Sequence, residues 1–196
     1  MTTVSPDPVR VESELVAGTL RCPSCSGQLA PWGWARPRPV GRGSARRRVR
    51  PRRSICQQCR ATHVLLPASM LARRGDWAAV IGRALELRAA GLGQRPIAAA
   101  VGVCRSTVRG WLSRFAVVAE EVRAHLTRWA LWLDVGLVRL EPSGSAIGDA
   151  IAAVVVASGA AASRLGISCR WQFASAATGG RLLCNTSSPF PGPWMG

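Results

Sequence analysis

Four cysteines in two pairs, Cys22-Pro-Ser-Cys25 and Cys56-Gln-Gln-Cys59, carry the clearest chemistry in this sequence. A CxxC turn holds two thiols at its tip, so two such turns separated by thirty residues can surround one tetrahedral Zn²⁺ with soft ligands at ~2.3 Å. Gly27 suits a backbone that folds around an ion. Disulfides and thiol redox chemistry draw on the same residues. The first is disfavoured in a reducing compartment; the second expects a CxxC opening a helix in a βαβ setting, which is missing here. His63, four residues after Cys59, can replace a cysteine as ligand or lie on the following strand. Cys104, Cys169 and Cys184 are isolated and read as small core or boundary residues.

A second pattern lies in residues 94–115, QRPIAAAVGVCRSTVRGWLSRF. Ile97, Ala98 and Val101 form the inner face of a short helix, Gly102 sits where a sharp turn needs positive φ, and Val103, Val108, Trp111, Leu112 and Phe115 pack a second helix across it. This spacing resembles the helix-turn-helix of transposases, resolvases and bacterial regulators, whose second helix enters the major groove of DNA. The resemblance places Arg105, Ser106, Thr107 and Arg109 on the exposed first turns of that helix, with Ser113 and Arg114 further along. Arginine can grip a guanine edge through two hydrogen bonds, and hydroxyls reach bases or phosphates. Two residues depart from the pattern. Cys104 stands where a Ser or Thr cap is common, and Gly110 interrupts the helix; each costs ~1 kcal/mol.

The elements that must hold these residues follow from charge and periodicity. All 26 basic residues of the 196-residue chain are arginines, against 10 acids, for a net charge of +16. Thirteen of them lie between residues 21 and 74, where no acid occurs. Such density favours a polyanionic partner. Arg46, Arg47 and Arg48 with Arg50, Arg52 and Arg53 lie at the base of an expected hairpin and read as phosphate contacts, with Trp32 and Trp34 available for stacking or for support of the module. The expected fold is mainly α with a small β zinc ribbon: a flexible tail over 1–18, a zinc-ribbon-like basic module over 19–73, a helix-turn-helix DNA-binding domain over 76–116, and a C-terminal helical region with an irregular tail over 117–196. Within the last, Val117 to Val135 predicts one amphipathic helix, Ser145 to Leu165 a second and Trp171 to Thr178 a third, followed by a turn at Gly179-Gly180 and the irregular SSPFPGPWMG.

The order CPxC, WGW, an arginine run, CxxC followed by THVLLP, then TVRGWLSRF resembles an actinobacterial family of zinc-ribbon plus helix-turn-helix proteins described as transposase-like. The first half also resembles the front end of insertion-sequence transposases. These resemblances imply DNA binding and no specific activity. Strand transfer by an intact transposase needs converging carboxylates to hold two ions, and after Glu121 the chain offers only Asp134, Glu141 and Asp149. His63 and His125 lack a motif that would activate a nucleophile. The expectation is therefore a non-enzymatic, Zn²⁺-stabilised protein that binds double-stranded DNA, as a transcriptional regulator or a transposase-related accessory protein. An RNA- or ribosome-associated zinc module and a non-functional transposase remnant are the alternatives. Residues 117–196 are expected to serve a homodimer or a protein partner. Acids and prolines occupy the N-terminal stretch where a secretory signal would be basic then apolar. The Ala- and Val-rich uncharged run Ala150–Ser163 has fourteen residues, short of the ~20 of a membrane span. A cytoplasmic, nucleoid-associated location follows as an expectation.

Overall fold

The computed structural model describes residues 1–136, 141–184 and 190–191. Most of the SSPFPGPWMG tail lies outside the described residues. The architecture is mixed, with six helices and six short strands among the described residues. Strand β1 (Thr2–Val4) leads into helix α1 (Pro8–Val16), followed by β2 (Leu29–Trp34), β3 (Arg38–Val40), β4 (Arg47–Val49), β5 (Arg52–Cys56) and β6 (Thr62–Pro67). One sheet has the order β1-β6-β5-β2, with β1 parallel to β6 and the other pairs antiparallel; β3 and β4 form a separate antiparallel hairpin.

The segment expected to be a flexible tail, residues 1–18, is instead built into this sheet. Thr2 to Val4 pair with Leu65 to Pro67. Asp7 caps α1 by accepting the Val9 N–H at 2.9 Å, and Pro8 occupies the first turn, where its missing N–H and fixed φ favour a helix. Val4, Val11 and Leu15 are then buried with Cys22, Leu29, Cys56 and Leu65 in one small core. Pro8 is the first residue of the helix, and Pro6 lies just before its cap.

The second half holds α2 (Ala78–Ala89), α3 (Gln94–Val101), α4 (Arg105–Leu133), α5 (Ala146–Leu165) and α6 (Arg170–Ala177). Helix α4 corrects the expected division at 116/117. No breaker interrupts Phe115-Ala116-Val117, and the buried stripe Val108, Trp111, Leu112, Phe115, Val118, Val122, Leu126, Ala130 and Leu133 runs on at helical spacing. The helix-turn-helix and the C-terminal helices therefore share one core. Helix α5 starts at the expected place, where Ser145 accepts the Gly148 N–H at 3.0 Å, and it ends on Gly166 at φ 68°. Its 20 residues are long and apolar enough to cross a membrane. Gly148, Ala150, Ile151, Ala153, Val154, Ala157, Ser158 and Ala161 are buried, however, and the apolar ones from Ala150 to Ala161 belong to the helical core with residues of α2, α4 and α6; small side chains let the neighbouring helices approach closely.

Candidate metal centre and nucleic-acid interface

The two cysteine pairs form near-identical turns. Ser26 N–H bonds the Cys22 carbonyl at 2.8 Å and Arg60 N–H the Cys56 carbonyl at 3.1 Å, while the Cys22 and Cys56 N–H groups bond the Gly27 and Ala61 carbonyls at 2.8 and 2.9 Å. Ser26 and Arg60 take the left-handed backbone, at φ 57° and 61°. Gly27 has a different role from turn-making: a Cβ there would lie 2.9 Å from Cys56 Sγ and 2.6 Å from the Gln58 side chain. The absent side chain allows the turns to face each other.

Across this gap the four sulfurs of Cys22, Cys25, Cys56 and Cys59 lie within 4.8 Å of one another, with Cys22–Cys59 at 3.7 Å and Cys25–Cys56 at 3.5 Å. A disulfide would require ~2.05 Å. A tetrahedron with ~2.3 Å metal–sulfur bonds has edges of ~3.8 Å, so the residues fit a metal ion such as zinc. Burial opposes ionisation of Cys56, but N–H groups of Cys59 and Gln58 and neighbouring thiols bring it down to about 6. Cys59 receives the Ala61 N–H, yet the thiols of Cys25 and Cys56 push it up to about 12. The cluster cannot carry its full negative charge without a cation. His63 lies on β6, buried, with Nε2 3.4 Å from Cys22 Sγ and Nδ1 3.4 Å from the N-terminal amine. That places it beside the sulfur cage. Cys104 is exposed, Cys169 and Cys184 half-buried, all outside the four-cysteine group.

In the helical half, α2, α3 and the start of α4 form a three-helix unit. Gly102 takes φ 66°, and Val103 N–H returns to the Ala98 carbonyl at 3.1 Å. Ile97, Val108, Trp111, Leu112 and Phe115 are buried behind this turn. Arg105, Ser106, Arg109, Ser113 and Arg114 are exposed, while Thr107 is half-buried. Cys104 is the N-cap of α4 and makes no side-chain cap bond. Its sulfur instead lies 3.2 Å from Ser106 Oγ and 3.0 Å from Thr107 Oγ1. Those hydroxyls, then the Thr107 N–H and the charge of Arg42, outweigh slight burial and lower the thiol from 9.0 to about 7. A folded value below the unfolded one makes stability rise between pH 7 and 9, with the contribution gone at lower pH. Cys104→Ser should abolish that pH-dependent increment and, through a better oxygen cap, add about 0.5–1 kcal/mol at neutral pH. Calorimetric melting across pH 6–9 checks both: a lower melting temperature in the variant at pH 6–7 would contradict the cap, and a rise in its melting temperature toward pH 9 as large as the wild type's would contradict the titration.

The arginine groups separate in space. Arg46, Arg47, Arg48 and Arg50 are exposed on the β3–β4 hairpin and the chain after it. Arg47 Nη1 also donates to the Ser44 carbonyl at 2.6 Å. Arg52 is held at 2.6 Å by Glu12 of α1, and its guanidinium lies 4.8 Å from the Trp34 ring centroid. Arg53 reaches Thr62 Oγ1 at 3.4 Å. The acid that screens Arg52 comes from the N-terminal segment, outside the acid-free stretch. Trp32 and Trp34 remain 51% and 45% exposed.

Contacts absent from the sequence patterns fasten the hairpin to the helical unit. Arg42 pairs with Asp76 at 2.8 Å, Gly41 N–H bonds the Gly75 carbonyl at 2.8 Å, and Trp77 Nε1 donates to the Ala45 carbonyl at 3.0 Å. These residues sit immediately before α2, so the arginine hairpin is held at the edge of the three-helix unit. No local signal marked Arg42 or Trp77, because each partner is more than thirty positions away.

With this geometry in view, residues 79–117 match the family model of a homeodomain-like domain. The match spans α2, α3 and the first turns of α4, the three helices of the helix-turn-helix unit. No curated protein and no solved structure matches the chain. The domain points to binding of double-stranded DNA, and the four cysteines constitute a possible metal site.

Proposed function

We propose that the protein is a zinc-stabilised, non-enzymatic DNA-binding protein of the cytoplasm, acting as a transcriptional regulator or as a transposase-related accessory factor. The observation that carries this reading is the exposed row Arg105, Ser106 and Arg109 on the first turns of the third helix of a homeodomain-like unit. In that class of motif the third helix lies in the major groove and its outward side chains meet base edges. Arg105 and Arg109 supply donors for guanine, Ser106 and Thr107 supply hydroxyls, and Ser113 and Arg114 lie where the helix leaves the groove. Cys22, Cys25, Cys56 and Cys59 would hold Zn²⁺, a structural ion with all four positions taken by sulfur and none open for chemistry. Arg46, Arg47, Arg48, Arg50 and Arg53 would meet phosphates, while Arg52 contributes mainly through Glu12 and Trp34.

The two arginine groups should respond differently. Arg105→Ala and Arg109→Ala should each lose about 1–3 kcal/mol of discrimination between a selected duplex and an unrelated one. Neutralising Arg46, Arg47 and Arg48 together should weaken all duplexes alike and reduce the slope of log K against log salt by ~0.9 for each phosphate no longer neutralised. Fluorescence anisotropy over a salt series measures both. Equal losses across unrelated sequences in both groups would remove the case for groove reading, and tighter binding to structured RNA would favour an RNA-associated module.

A further inference from the structure

The geometry points to a second nucleic-acid site, in the basic module: a cleft beside Trp34 that takes one unpaired nucleotide of single-stranded DNA, with its base on the indole and its phosphate on Arg50 and Arg48. This goes beyond the duplex reading assigned to α4 and does not depend on it.

A one-residue irregularity builds the site. In the pairing of β2 with β5, Leu29 stands opposite Cys56 and Pro31 opposite Ser54, so an unbroken ladder would set Gly33 opposite Arg52. The register shifts between Pro31 and Trp34, Gly33 takes φ 90°, and Trp34 occupies that place instead. One extra residue in a strand moves the side chains after it to the other face of the sheet. Trp34 thereby joins Arg52 on the face that α1 covers, where Leu29 and Cys56 are buried against Val11 and Leu15. Ala35 N–H fastens the strand end to the Pro51 carbonyl at 2.8 Å.

The result is a cleft of about 250 Å³ between the N-terminal segment and residues 48–52. That is smaller than the roughly 300–1,000 Å³ of sites for drug-sized ligands, and it suits one ring system rather than an extended chain. Val4, Val11 and Leu65, all buried, give it an apolar floor. Pro8 and Pro51 stiffen opposite walls with backbone already fixed in φ. Trp34 lines the cleft and is 45% exposed although the Arg52 guanidinium lies 4.8 Å from its ring centroid, so ring surface is left for a second planar group.

Charge selects the occupant. The acid lining the cleft, Glu12, is already held by Arg52 at 2.6 Å. Arg48 and Arg50 also line it, are exposed, and among the described residues belong to no ion pair. Arg50 stands 5.9 Å from the same indole centroid, so a base laid on that ring brings its own phosphate within reach of a guanidinium. An apolar floor, an aromatic wall and unpaired cations at the rim together match a planar π-system that carries a phosphate. A base inside a duplex is paired and stacked on its neighbours and cannot enter; an unpaired one can.

The test uses the full-length, zinc-loaded protein and fluorescence anisotropy with three labelled probes: an oligodeoxycytidine about 12 nucleotides long, a strand of equal length made of abasic sugars, and a blunt duplex. Wild type should bind the cytidine strand about 5- to 150-fold more tightly than the abasic strand, which offers the same phosphates without bases. Trp34→Ala should lose that margin and leave duplex affinity unchanged, and Trp34→Phe should recover most of it. Arg50→Ala should flatten the salt slope for the cytidine strand by ~0.7. Deoxycytidine monophosphate at equal nucleotide concentration should fail to displace the strand; displacement would assign the cleft to a free nucleotide and overturn the single-strand reading. Equal affinity of the wild type for the two strands, or Trp34→Ala binding the cytidine strand as tightly as wild type, would overturn the site. So would a parallel loss of strand and duplex affinity in Trp34→Ala, which would make the indole a support of the module. A protein that shows the base-dependent margin but binds no duplex would overturn the reading of α4 alone.

Discussion

Removal of zinc, by a chelator or by Cys56→Ser with Cys59→Ser, should unfold the N-terminal sheet while leaving the helical body folded. The core between the sheet and α1 consists of Val4, Val11, Leu15, Leu29 and Leu65 together with two of the cysteines, Cys22 and Cys56, and the opposite side of β6 buries only Leu66 with Val40, Met70 and Ala72. So few apolar residues cannot hold four strands and a helix together. Tetrathiolate sites in small modules provide apparent stabilisation of about 10–16 kcal/mol at neutral pH, and metal loss converts them to unfolded chain. The helical body has a separate and larger core that includes Ile81, Leu85, Ile97, Val108, Trp111, Phe115, Leu126 and Val154. Far-ultraviolet circular dichroism should therefore keep its helical signal while proteolysis opens residues 1–67. DNA affinity should fall with a shallower salt dependence, because the hairpin bearing Arg46, Arg47 and Arg48 loses its frame, while the preference among duplexes persists through Arg105 and Arg109. Elemental analysis of reduced protein should give one zinc per chain. A metal-free protein with the sheet intact would sink the zinc assignment.

Two identical substitutions, in contrast, should act with opposite signs. Gly82 in α2 and Gly110 in α4 are both glycines inside helices, and by propensity alone alanine should stabilise each by about 0.5–1 kcal/mol. Gly110→Ala should deliver that gain, since the added Cβ meets only the end of the flexible Arg114 side chain. Gly82→Ala should cost about 1–3 kcal/mol or more. The Trp171 indole lies across Gly82, and a Cβ built there would overlap Trp171 Cδ2 and Cε2. The ring cannot slide aside cheaply. Its Nε1 donates to Glu86 Oε1 at 3.0 Å, one turn along α2, and Arg170 bonds the same oxygen at 2.8 Å. Thermal unfolding with near-ultraviolet circular dichroism of the tryptophans distinguishes the two variants. A Gly82→Ala protein as stable as the wild type would show that α6 does not pack on α2 in this way.

Features that depend on residues a few positions apart are legible in the chain alone. Two CxxC spacings mark the sulfur cage, Gly102 between two apolar faces marks the helix turn, and Ser145 with Leu165 brackets α5, because turns, caps and helix faces are set by neighbours along the chain. Features whose partners are distant emerge only when the chain is folded. Pro6 and Pro8 read as irregular chain until burial of Val11 and Leu15 against Leu29 and Leu65 makes α1 part of a core. The arginines between 21 and 74 read as one uniform charge until Glu12 claims Arg52 and Asp76 claims Arg42. Gly82 is an ordinary weak point in a helix until Trp171 covers it. In each case a local preference worth about 1 kcal/mol is set against packing or desolvation worth roughly several, and the stronger of the two belongs to residues that the fold alone brings together.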